Sequence, residues 1–77
     1  MPTRLKKCSG KECVRILCNK FGFSMKRQKG SHVILVKESG AEKAVTVVPL
    51  HHELKLGTLK GVLELAKVSG EEFAEFQ

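Results

Sequence analysis

The spacing of apolar positions changes period twice along this 77-residue chain. Val14, Leu17 and Phe21, joined by Cys13, Ile16 and Cys18, recur at helical spacing. Ser9 precedes them with Glu12 three residues on, the pattern of a capping box: Ser9 accepts from the Glu12 N–H and the Glu12 side chain reaches back to Ser9. Gly22 follows Phe21 as a left-handed stop, so a helix of about three turns is predicted. The period then drops to two. Phe23 and Met25 alternate with Ser24 and Lys26, Gly30 interrupts, and SHVILVK follows. ESGAEK has turn chemistry, with Gly40 free to take a positive φ, and AVTVV is rich in β-branched residues. Pro49 cannot donate to a ladder and ends the third run. Three short strands with short loops predict an antiparallel meander.

Helical spacing returns in GTLKGVLELAKV, where Leu59, Val62, Leu63 and Ala66 fall on one face with Thr58 as the expected N-cap. A second capping box, Ser69 with Glu72, opens a last turn that buries Phe73, with Phe76 a further candidate. The expected fold is α+β in the order α-β-β-β-α, a three-stranded antiparallel sheet with two helices packed on one face. Residues 1–77 read as a single domain without linker or repeat. On the middle strand His32, Ile34 and Val36 point one way, Val33 and Leu35 the other. Two helices can cover only one of these faces. The other is an exposed apolar patch or a surface for a partner.

Composition narrows this picture. A hydrophobic content of 42% without low-complexity tracts indicates a folded chain, and four Phe without Trp or Tyr indicate a largely aliphatic core. No apolar run approaches the roughly 20 residues of a bilayer span, and no signal-peptide pattern opens the chain. Cys8, Cys13 and Cys18 are odd in number and fit neither a disulfide framework nor the usual zinc spacing. They read as reduced, packed thiols, which predicts a soluble cytoplasmic protein with no membrane partner. Residues 1–37 hold ten Lys/Arg against the single acid Glu12, and residues 38–77 hold four against seven Glu, so the halves carry +9 and −3. Such a cationic half attracts polyanions, nucleic acid foremost; the plain alternative is a solvated basic face.

RQKGSH, residues 27–32, concentrates the candidate chemistry. Imidazole both takes and gives a proton near neutral pH, so His32 is a candidate acid–base group. Lys26, Arg27 and Lys29 just before it can hold phosphate oxygens and stabilise charge on a phosphoryl group. Gly30 leaves room for a backbone to approach. These are the parts for metal-free cleavage of RNA, whose 2′-OH supplies the nucleophile internally. A surface histidine at a strand start explains the same residue, and spacing alone leaves both open. His51 and His52 follow Pro49 in a loop. With His32 they could make a three-histidine site, but no Asp or Cys arrangement supports one, and no metal is predicted. His51 reads better as a loop histidine capping a backbone group. Gly57–Leu59 could cradle a phosphate at a helix start, though plain capping explains them. No Ser-His-Asp or Cys-His pairing and no glycine-rich nucleotide loop is present.

Taken in order, GFSMKRQKGSH, VPLH, GTLKGVLELA and SGEEF resemble the HicA toxin family of small messenger-RNA interferases, from about Ser9 to Phe73. The resemblance implies a double-stranded-RNA-binding-domain-like fold. It makes the histidine of the GSH motif, His32, the catalytic residue, with Gly30 and Ser31 in the same motif and Arg27 and Lys29 as its basic approach. The family's VPxH falls on Val48, Pro49 and His51, which leaves His52 as an extra. The implied activity is metal-independent endonucleolysis of messenger RNA without a cofactor, restrained by a HicB-type antitoxin covering the active site. One departure is Lys67, where the family often has glycine after the last alanine of the second helix. That helix is therefore expected to run longer or to fray. The competing reading is a non-catalytic RNA-binding module with the same fold and cationic face; a third is an inactive relative acting as a regulator.

Overall fold

Helix α1, Gly10–Lys20, starts where Ser9 leaves extended backbone and its hydroxyl accepts the Glu12 N–H at 3.0 Å. The structure, a computed structural model, describes residues 4–77; the first three, and with them the start of the chain, lie outside it. Only half of the capping box forms. The Glu12 carboxylate pairs with Arg15 instead of returning to Ser9, and that bond holds its pKa below the usual carboxylate value. Cys13, Ile16 and Leu17 turn into the core. Burial, aided by the neighbouring Cys8, pushes the Cys13 thiol up to about 12, and burial also raises the half-buried Cys8 and Cys18. All three thiols are free and behave as small apolar groups. Gly10 is needed for a different reason from the turn glycines. A Cβ there would run into the Pro49 carbonyl oxygen and come within 2.8 Å of Leu50 Cα. The first residue of α1 is thus pressed against the end of the last strand.

Strands β1 (Ser24–Lys29), β2 (His32–Ser39) and β3 (Glu42–Pro49) form the predicted antiparallel meander in the order β1-β2-β3. Gly30–Ser31 closes the first hairpin in two residues. Gly30 takes φ +61 with nothing within 4 Å of its Cβ position, so backbone conformation, not packing, requires glycine there. β2 and β3 stay in register from His32↔Pro49 to Ser39↔Glu42. β1 does not: a bulge between Met25 and Arg27 makes Lys26 the extra residue. Val33, Leu35, Ala44, Thr46 and Val48 face the helices and are buried. The Thr46 hydroxyl donates to the Val62 carbonyl at 2.8 Å, so the buried polar group is satisfied and ties the sheet to the second helix.

Helix α2, Leu56–Ala66, buries Leu59, Val62, Leu63 and Ala66 as the spacing predicts. Its start differs from expectation. Lys55 is the N-cap, with no side-chain capping bond, and Thr58 lies exposed within the first turn. Leu54 explains the shift: it is fully buried and its N–H bonds the Cys8 carbonyl at 2.7 Å, fixing the entry of the chain. Packing outweighs the capping preference of Thr58. The end differs too. Lys67 adopts the left-handed conformation itself (φ 59, ψ 36), and the Lys67 and Val68 N–H groups return to the Glu64 and Leu63 carbonyls at 3.1 and 3.0 Å. This Schellman termination stops the helix at Ala66, neither lengthened nor frayed. A short helix α3, Gly70–Ala74, is capped by Ser69, buries Phe73, and leaves Phe76 half-exposed, edge-on against Phe21. The architecture is α+β and double-stranded-RNA-binding-domain-like, with the helices on one face and the other face of the sheet open. No described helix is long and apolar enough to cross a membrane.

Candidate nucleic-acid interface

Residues directly opposite in an antiparallel pair share a face, so the register defines what surrounds His32. Across the sheet run three rows: Lys29–His32–Pro49, then Arg27–Ile34–Val47, then Ser24–Val36–Val45. All lie on the face the helices leave open. Lys29 is therefore the direct neighbour of His32, at about 5 Å between Cβ atoms, and Arg27 its diagonal neighbour at about 7–8 Å. All three side chains are exposed. The bulge separates Lys26 from this group. Lys26 instead borders a shallow hollow with Gly22, Ser24, Val36 and the acid Glu38. Of the three cations singled out in the sequence, two are gathered around the imidazole and one is not.

Gly30 and Ser31 form the turn that presents His32. The Ser31 carbonyl accepts the Leu50 N–H at 2.7 Å, which fastens the turn to the chain leaving β3. Gln28 Nε2 donates to the Gly30 carbonyl at 3.0 Å and braces the turn from within. Gln28 is the residue that sequence reasoning missed. Its only signal is a side-chain amide two places before a turn glycine. His51 follows Leu50, and its carbonyl accepts the Gly10 N–H at 2.9 Å. Backbone, not ring, makes this bond, contrary to the expectation that its imidazole caps a backbone group. His51 is exposed and borders an open cleft of about 380 Å³ with Ser9, Lys11, Leu50 and His52. Among the described residues no three His, Cys, Asp or Glu side chains come together as metal ligands would.

Beside the cationic end, the open face is apolar. Val45 and Val47 are 42% and 39% exposed, and Ile34 and Val36 next to them are half-buried. Four β-branched side chains thus form one stripe that continues from His32 along the sheet.

The order α-β-β-β-α, with an open sheet face and a braced glycine turn at its cationic end, defines a small α+β domain whose fold is like that of a double-stranded-RNA-binding domain. The model of the family described as HicA toxin of bacterial toxin-antitoxin matches residues 10–68, from the first residue of α1 to just beyond α2. The chain belongs to the HicA toxin family. Its members are toxins of toxin–antitoxin systems, generally RNA-cleaving, each with a cognate antitoxin. The matched span contains the GSH turn and the Pro49–His52 loop and stops short of SGEEF. No curated protein and no solved structure matches the chain.

Proposed function

We propose that residues 1–77 form one HicA-like domain that cleaves messenger RNA without a metal or cofactor, with His32 taking the proton from the attacking 2′-OH. Lys29 and Arg27 bind the scissile phosphate and stabilise the charge that develops on it; Gly30 and Ser31 leave room for the RNA backbone at the turn, and Lys26, farther along the strand, meets a more distant phosphate. The observation that carries this reading is the register Lys29↔His32 with Arg27↔Ile34, which sets two cations and an imidazole side by side on one open face. Family membership supports the reaction class. The partner in this reading is a HicB-type antitoxin that docks on the same face.

Purified His32→Ala tests the assignment. Cleavage of a long RNA falls by about 10²–10⁴-fold, the usual contribution of a positioned acid–base group, while RNA binding persists. A variant that still cleaves at the wild-type rate removes His32 from the mechanism. A wild-type protein that binds RNA without cutting it is the non-catalytic binding module instead.

A further inference from the structure

Strand scission needs two proton transfers, and the site around His32 supplies an imidazole for one. We infer that His51 is the second catalytic residue, the general acid that protonates the departing 5′-oxygen; this rests on the assignment of His32 as base. Pro49 pairs directly with His32, and the Leu50 N–H bonds the carbonyl of Ser31, the residue before His32. Paired Cα atoms lie about 5 Å apart, and two further residues of chain add at most about 7 Å, so the His51 Cα lies within about 12 Å of that of His32, a span one phosphodiester can bridge between two imidazoles. Leu50 packs against the core. The Leu50 N–H bond to Ser31 carries the β2–β3 pairing one residue past Pro49, and alternation continued from there sets His51 on the edge of the face that His32 and Pro49 share.

The second support is rigidity without a structural task for the ring. The loop is pinned at Leu50 by Ser31, at His51 by the Gly10 N–H, and at Leu54 by the Cys8 carbonyl, at 2.7, 2.9 and 2.7 Å. Pro49 and Leu50 are further clamped by the close approach of Gly10. A side chain on so fixed a backbone is pre-placed, yet His51 remains exposed beside a cleft and its ring makes no hydrogen bond to the described residues. The charged and titratable groups facing it there are Lys11 of α1 and His52 of its own loop, with the Ser9 hydroxyl. Lys11 can hold a phosphate oxygen while the imidazolium faces the leaving group.

The step balances within the RNA and the two rings. The 2′-OH proton passes to His32 as the 2′-oxygen–phosphorus bond forms. The bond from phosphorus to the 5′-oxygen breaks, and His51 gives its proton to that oxygen. The products are a 2′,3′-cyclic phosphate and a 5′-hydroxyl, and both exposed rings re-equilibrate with water.

The test compares an RNA oligonucleotide cut by the wild-type toxin with the same oligonucleotide carrying a bridging 5′-sulfur at the mapped site, a leaving group that needs no proton. His51→Ala lowers kcat on ordinary RNA by about 10²-fold or more with little change in KM. It cleaves the sulfur substrate at close to the wild-type rate. His32→Ala is impaired on both substrates. Equal loss on both substrates in His51→Ala, or no loss on ordinary RNA, overturns the role of His51, and transfer of the signature to His52→Ala does the same. Unimpaired cleavage by His32→Ala overturns the base assignment, whatever His51→Ala shows.

Discussion

Lys67 shows how a single residue can carry strain that its neighbours impose. It is the only described non-glycine residue with a positive φ, a conformation that costs an L-residue about 1–2 kcal/mol. The Schellman bonds of Lys67 and Val68 and the burial of Ala66 hold it there. Its Nζ gains only a long contact of 3.5 Å with the Lys43 carbonyl. Lys67→Gly removes the steric penalty but adds freedom to the unfolded chain, so the net gain is about 0.5–1 kcal/mol. A urea midpoint that rises without a change in slope measures it. An unchanged or lower midpoint would show that the lysine side chain offsets its own backbone strain. Thr46 makes the complementary point. In AVTVV it reads as one more β-branched strand former, and nothing local announces that its hydroxyl will be sealed against the Val62 carbonyl. That bond exists only once α2 has docked.

At the scale of elements, the sequence was legible where local chemistry and long-range packing agree. The periods of α1 and α2, the two glycine turns and the stop at Pro49 each place their element correctly. Register was not legible. The bulge at Lys26 decides that Arg27 and Lys29, but not Lys26, stand with His32, and RQKGSH contains no signal for it. The start of α2 was misread for a related reason: Thr58 has the better capping side chain, but Leu54 has the better burial. Because Lys55 caps the helix without a side-chain acceptor, α2 has an unfilled N-cap. Lys55→Asp supplies an oxygen for the free N–H groups and a negative charge at the positive end of the helix. It stabilises by about 1 kcal/mol, or about 4–8 °C in Tm for a domain of this size. Thr58→Ala changes Tm little by comparison, since Thr58 caps nothing; a drop as large as the gain from Lys55→Asp would restore Thr58 as the cap.

The whole molecule is two-faced in both polarity and charge. One face of the sheet is sealed by α1 and α2; the other presents Ile34, Val36, Val45 and Val47 beside His32, Lys29 and Arg27. The positive charge of residues 1–37 suits the cationic end to a polyanion but leaves the β-branched stripe without a use in phosphate binding. Under the proposed function a cognate antitoxin gives it one, because a protein seated on the stripe would gain affinity from burying it and would cover His32 in the same act. Paired glutamates at Ile34 and Val36 separate this from a role in the core. Both positions face away from the helices, so Ile34→Glu with Val36→Glu leaves the circular dichroism spectrum intact and Tm within a few degrees. Affinity for the antitoxin falls by at least about 10-fold, since each side chain that fully loses its burial forfeits about 1.5–3 kcal/mol. Unfolding of the double variant would place the face in the core. An unchanged Kd in a folded variant would put the antitoxin on another surface, and the stripe would then need a different partner.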